Sequence, residues 1–175
     1  MSRCDMRVKP RGRAATPRRA VAALIGAAAV TASIATPAAL AATRHPFAGS
    51  YTGKGSGEVT GTTASGSGTA TGRASGLGRS TLSGSAHGVF INRSCVAFDG
   101  TAILKSRTAS IRLAASGAHA CANTTDADVV SFSGTAKVTG GTSTFAGAHG
   151  TLPFTGTYLR RSGALTITFR GSITY

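Results

Sequence analysis

The sequence predicts an all-β protein, an antiparallel β-barrel of about eight strands that follows an N-terminal export signal. Residues 165–175 alternate apolar and polar side chains without a slip, which is typical of a strand with one buried and one solvated face. The same alternation recurs over residues 96–104, 130–138 and 152–158. Short polar connections between such segments favour antiparallel neighbours, and about eight strands can close into a barrel without exposed edges.

The first 41 residues are predicted to be a signal peptide. Residues 1–19 carry seven basic and one acidic side chain, and residues 20–43 carry no charge. Ala39-Leu40-Ala41 fits a small-residue cleavage site, so the mature domain is expected over residues 42–175. Arg18-Arg19 leaves general secretion and twin-arginine export both open, and a membrane anchor is the alternative for the uncharged run. We expect a secreted or extracytoplasmic protein with no membrane span in its mature part.

The mature part is strongly basic, with twelve basic and four acidic residues. Its length suits one domain with a single core. The basic residues are scattered along the chain rather than clustered, so we expect no specific nucleic-acid site. Non-specific attraction to anionic polymers is expected from the net charge alone.

Residues 49–88 consist almost entirely of Gly, Ser, Thr and Ala, a composition that also suits a flexible linker. Short segments in this region nevertheless recur at the spacing of a β-meander. We expect strands around Glu58–Thr60, Thr69–Thr71 and Ser80–Ser83. For residues 42–55, where the pattern is weakest, a flexible segment stays open as the alternative.

The second half of the domain has clearer strand patterns. The predicted strands are Val89–Asn92, Cys95–Leu104, Ser110–Ala118, Val129–Val138, Thr151–Tyr158 and Ala164–Tyr175. Polar turns of hairpin length are expected at residues 105–107 and 160–163.

Cys95 and Cys121 are predicted to form a disulfide, as expected for a cysteine pair in an exported domain. They lie thirteen residues to either side of Thr108, so a hairpin that turns near Arg107-Thr108 would place them opposite each other. The alternatives are two free thiols or a metal site in which Cys121 and His119 are the ligands. Two ligands without further partners make a poor zinc site, so no metal is expected.

The inward faces of the predicted barrel are unequal. The C-terminal strands offer large apolar side chains, whereas residues 49–88 offer mainly glycine, alanine and serine. Either the wall of small residues closes down on the other, or a cavity is left that could hold one small ligand. The side chains expected to line such a cavity are Phe132, Phe154, Ile167 and Phe169.

Catalytic signatures are lacking in the sequence. The mature part has four acidic residues, and the histidines have no metalloprotease spacing. Asp126 and Asp128 fall in a predicted loop, and Asp99 has the parity opposite to Phe98. No catalytic residue and no cofactor are therefore predicted.

A local family resemblance lies within residues 129–159. The segment Val138–Gly150 resembles the G-G-T-G-x-F-x-G-A-x-G pattern of dirigent proteins and allene oxide cyclase-like barrels. The matching positions are Gly140, Gly141, Thr142, Phe145, Gly147, Ala148 and Gly150, and Ser143 departs where the family has a third glycine. The resemblance implies an eight-stranded barrel whose interior binds apolar molecules, with cyclase, isomerase or non-catalytic relatives. It carries no functional residue to this chain.

Together these observations predict an exported, non-catalytic β-barrel protein that binds a small apolar ligand or acts at the cell surface. A cyclase or isomerase working inside the barrel is the main alternative. A structural or interaction module that uses the basic, Thr-rich exterior is the second alternative.

Overall fold

The computed structural model describes residues 43–175, and the predicted signal peptide lies outside the described residues. The described chain forms eight strands and one short 3₁₀ helix. They are β1 (Arg44–Thr60), β2 (Thr63–Ala74), β3 (Gly78–Phe90), β4 (Cys95–Lys105), β5 (Ser110–Ala122), β6 (Val129–Gly141), η1 (Ser143–Phe145), β7 (His149–Leu159) and β8 (Ala164–Thr174). Within residues 43–175, no helix is long and apolar enough to cross a bilayer.

The strands form a closed antiparallel barrel in sequence order, with β8 paired to β1. This confirms the predicted fold class. Following directly paired residues once around the barrel leads from Cys95 to Lys105 on the same strand, a stagger of ten residues. Such a stagger accompanies the tilt that strands need in order to close a barrel.

Most strands are longer than the sequence predicted, and the two largest differences concern β3 and β1. Val89 and Phe90 are the last residues of β3 rather than the start of a separate strand at Val89–Asn92. Strand β1 runs over seventeen residues. Within residues 42–55, for which flexibility stayed open, residues 44–54 are paired with β8 and, from Gly49 onward, the strand is also paired with β2. Backbone pairing holds this segment extended, and Phe47 and Tyr51 within it pack into the core.

The two ends of the barrel are built differently. At one end, called the closed end, the interior is filled by buried side chains such as Phe47, Leu104, Ile111, Leu152 and Ile173. The connections at this end are residues 75–77, 106–109 and 142–148. The other end, called the open end, carries the connections at residues 61–62, 91–94, 123–128 and 160–163. The strongest packing therefore lies in one half of the barrel.

The connection between β6 and β7 plugs the closed end. Phe145 of η1 is 1% exposed and packs on Tyr175, with ring centroids 4.7 Å apart. Ser143, where the resembling family has glycine, has a φ of 58°. It is the single non-glycine residue with positive φ among the described residues, and a side chain in this conformation is strained.

A bulge in β5 is held by a carboxylate. Phe98 pairs with Ala118 and Gly100 pairs with Ala115, so β5 has one more residue than β4 between these two pairs. Gly117 adopts a φ of +64° there, and its amide donates to Asp99 Oδ1 over 2.8 Å. The hydrogen bond to the Gly117 amide is the main cause that lowers the pKa of Asp99. Asp99 thus has a structural role on the outer surface.

The predicted disulfide is present. Cys95 and Cys121 are directly paired across β4 and β5, with Cα atoms 4.1 Å apart, and are joined by a disulfide. The connecting turn spans residues 106–109, which confirms the predicted hairpin. The bond lies at the open end, and the strand alternation turns both cysteines outward. It therefore fixes the rim without occupying the interior.

Candidate ligand cavity

The open half of the barrel contains a cavity of about 460 Å³. This volume lies within the range of small-molecule sites, about 300 to 1,000 Å³. Leu82, Leu113, Ala136, Phe154 and Phe169 belong both to the cavity lining and to the buried core, so they form the floor. The interior is consequently neither uniformly filled nor hollow throughout.

Small residues of β1, β2 and β3 form one side of the cavity, called the thin wall. Its members are Gly55, Gly57, Ala64, Gly66, Gly68, Gly84 and Ala86. A Cβ added to Gly57 would make ordinary van der Waals contacts with the Ser65 carbonyl oxygen and the Tyr158 ring, each 3.7 Å away, so a methyl group fits at this position. The void exists because these strands offer no side chains to fill it.

Large side chains from the other strands form the opposite side, called the bulky wall. Its members are Val96, Phe98, Val130, Phe132, Tyr158, Leu165 and Ile167. Gly156 lies directly beneath the Phe132 ring, where an added Cβ would overlap the ring carbons. This glycine lets Phe132 lie against the strand and keeps its ring from reaching the thin wall.

The four residues predicted to line a cavity are brought together. Phe132, Phe154, Ile167 and Phe169 all line it. Ring centroids are 6.4 Å apart for Phe132 and Phe154, and 6.1 Å apart for Phe154 and Phe169. Tyr51 continues the series 6.1 Å beyond Phe169. An aromatic series thus runs from the cavity into the packed closed end.

Tyr51 ends this series in a buried hydrogen bond. Its hydroxyl lies 2.8 Å from Ser80 Oγ, and both residues are almost fully buried. Burial raises the pKa of Tyr51, and the bond to Ser80 partly offsets that effect. The phenol therefore stays protonated at neutral pH, and its hydrogen bond to Ser80 joins β1 to β3.

Tyr158 places a hydroxyl in the cavity, a feature that the sequence reasoning did not identify. Its oxygen lies 3.9 Å from the position of a Cβ added to Gly57, on the opposite wall. Among residues 43–175 no hydrogen-bond partner of this hydroxyl is present, so it is available to a bound molecule. Its parity, shared with Leu152 and Phe154, was a signal that could have identified it.

Glu58 borders the cavity at the open end, and the other three carboxylates of the described residues do not line it. The strand alternation turns Glu58 and Asp99 outward, and both side chains are exposed. Asp128 accepts the Arg161 amide over 2.7 Å, and its carboxylate lies 4.0 Å from the Arg161 guanidinium. Asp126 accepts the amide of Asp128 within the same loop. These contacts stabilise loops and a bulge rather than forming an acid–base pair.

The rim of the open end is partly apolar. Val59, Val89 and Ile91 are 53–60% exposed and account for three of the four large hydrophobic side chains exposed in the described part of the chain. They form what we call the apolar lip, at the ends of β1 and β3. Three of these four side chains therefore lie at the open end, where Val59 also lines the cavity, and the fourth, Ile103, lies within β4.

In residues 43–175, no group of three or more His, Cys, Asp or Glu side chains is arranged to hold a metal. Comparison of the chain with protein-family models, curated proteins and solved structures found no match.

Proposed function

We propose that this chain is an exported β-barrel protein that binds one small apolar molecule without changing it. The observation that carries the proposal is the cavity of about 460 Å³ between the thin wall and the bulky wall. Its floor is the buried core, and its lining is mostly aliphatic or aromatic. Transfer of an apolar molecule from water into such a cavity lowers the free energy, because apolar surface is removed from water.

The apolar lip supports the same function. Val59, Val89 and Ile91 offer an apolar molecule a surface to contact before it enters. The Tyr158 hydroxyl can then bond one polar atom of the ligand and so fix its orientation. We expect a ligand that is largely apolar and carries a single hydrogen-bonding group.

Gly57→Phe tests this proposal because the new ring would have to enter the cavity beside Tyr158, whose ring lies 3.7 Å from the position of a Cβ added to Gly57. Gly57→Ala is the matched control, since a single methyl group fits there without close contacts. We expect the parent and the alanine variant to take up the neutral probe N-phenyl-1-naphthylamine saturably, with affinities within about twofold of each other. The phenylalanine variant should lose at least tenfold. Equal uptake by all three proteins, or no saturable uptake by the parent, would rule out the cavity as the binding site.

A cyclase or isomerase acting in the cavity is the second candidate function, and the unpaired Tyr158 hydroxyl is the observation that favours it. A phenol can orient or protonate a polarised group. Incubation with candidate ligands followed by mass spectrometry and chromatography separates the two functions. Recovery of the unchanged compound supports binding alone. Conversion that Tyr158→Phe abolishes, while probe affinity is retained, would establish catalysis.

Export is part of the proposal and rests on the order of basic, apolar and small residues over 1–41. The disulfide suits an oxidising compartment. Strand β1 begins at Arg44, so cleavage before Ala42 would leave the barrel whole. N-terminal sequencing of the secreted protein should begin at or near Ala42. Recovery of residues 1–41 in the secreted fraction would contradict this.

A further inference from the structure

Charge is segregated along the barrel axis. The closed half carries eight basic residues, whereas all four acidic residues of the described chain lie in the open half. The eight, called the cationic belt, are Arg44, Arg73, Arg79, Lys105, Arg107, Arg112, Lys137 and Arg170. All eight are exposed. The scattered basic residues of the sequence are therefore gathered in one half by the fold.

The cationic belt has no acidic partner. The one ion pair within residues 43–175 joins Arg161 and Asp128 at the open end. Arg73 and Arg79 are also directly paired across β2 and β3. Like charges in this position repel and destabilise the sheet. A bound anion would remove this repulsion.

The belt follows the circumference of the barrel. Its members lie on β1 to β6 and β8, and Arg107 lies on the turn after β4. A flat anionic surface can contact only one side of such a ring, whereas a flexible chain can follow it. Thr52, Thr71 and Thr81 lie in direct register beside the Arg73–Arg79 pair. Thr52 and Thr71 add exposed hydroxyl donors, whereas the Thr81 hydroxyl donates to the Lys105 carbonyl over 3.3 Å. Arginine and hydroxyl groups together suit phosphate oxygens.

We propose that the cationic belt binds a flexible linear polyanion of phosphate groups and leaves the open end of the barrel free. Recognition is through the phosphates rather than through attached groups, because the exposed large hydrophobic side chains of the described chain include no aromatic ring for stacking. This interaction is independent of the cavity and of the proposed ligand. It would place the polyanion around the closed half of the barrel.

Long-chain inorganic polyphosphate is the probe for the test. Arg73→Gln/Arg79→Gln removes two belt charges, and Arg93→Gln/Arg160→Gln removes two exposed charges at the open end, unpaired within residues 43–175, as the matched control. Every variant keeps the parent's N-terminal segment, so its charges cancel in the comparison. At about 50 mM salt the belt variant should bind at least tenfold more weakly than the parent, and the control should change less than threefold. The belt variant should also reduce the salt slope, d log K/d log[salt], by about 1.4 for two lost phosphate contacts.

The melting temperature of the control variant should equal that of the parent, and the melting temperature of the belt variant should be equal or higher. A loss of binding can then be distinguished from a loss of folding. Equal losses in the two variants would show that net charge alone attracts the polymer and would overturn the proposal. Tighter binding to anionic phospholipid vesicles than to polyphosphate, at equal phosphate concentration, would also overturn it in favour of a membrane surface.

Discussion

Replacing residues of the aromatic series by alanine should lower the free energy of unfolding, and the loss should increase from the cavity toward the closed end. Phe132 is half-buried with one side on the cavity, so Phe132→Ala should lower the free energy of unfolding by about 1 to 2 kcal/mol. Phe154 is 6% exposed on the floor, and Phe154→Ala should cost about 3 kcal/mol because the new space joins the existing cavity. Phe169 is 2% exposed between Phe154 and Tyr51. Phe169→Ala should leave an enclosed void and cost about 4 to 5 kcal/mol.

Urea unfolding followed by far-UV circular dichroism gives the three free energies, provided that the m-values agree with that of the parent. A leucine at each position serves as the control, since it retains most of the apolar volume and should reduce each loss. Equal losses at the three positions would mean that the interior is packed uniformly. The reverse order would place the best-packed region at the open end. Either result would refute the assignment of closed and open halves.

Three further predictions concern the frame of the barrel. Replacing Cys95 and Cys121 together by alanine should lower the free energy of unfolding by about 3.5 kcal/mol, the chain-entropy estimate for the closed loop, as measured under non-reducing conditions; an unchanged midpoint would contradict it. Ser143→Gly should raise stability by about 0.5 to 1 kcal/mol by relieving positive φ, and a lower melting temperature would count against that strain. The folded-state pKa of Asp99 is lowered, so its contribution is present above the unfolded value near 3.9 and lost as pH falls further. Asp99→Ala should therefore destabilise at pH 7 and flatten the acid side of the stability profile, whereas a parallel shift at all pH values would contradict the linkage.

The register of the second half could be predicted from sequence because its side chains alternate between large apolar and polar. Strands with Phe132, Phe154 and Phe169 on one parity have a single way to face a core. The Cys95–Cys121 pairing followed from hairpin geometry. The bulge opposite Asp99 was not predicted, although the pairing depends on it. Between the turn and the bulge the register is that of Lys105 with Ser110, which would place Cys95 opposite Ala120, and the extra residue in β5 brings Cys121 directly opposite Cys95.

The location of the cavity within the barrel was not predicted, although the sequence contained the signal. Along β1 the inward positions change from Phe47 and Tyr51 to Gly55 and Gly57. Composition averaged over residues 49–88 hides this gradient, because it treats the whole segment as uniformly small. The full length of β1 was missed for a related reason. Glycine has low strand propensity, and the pairing that holds it comes from β2 and β8, which are distant in sequence or unpatterned.

The plug at the closed end determines how a guest molecule can move. Because Phe145 is packed at the closed end, the cavity opens to solvent at the open end and does not pass through the barrel. Any occupant must leave by the route through which it arrived, and a second molecule cannot push it out from behind. A ligand bound in the cavity would therefore have to leave completely through the open end before another could enter.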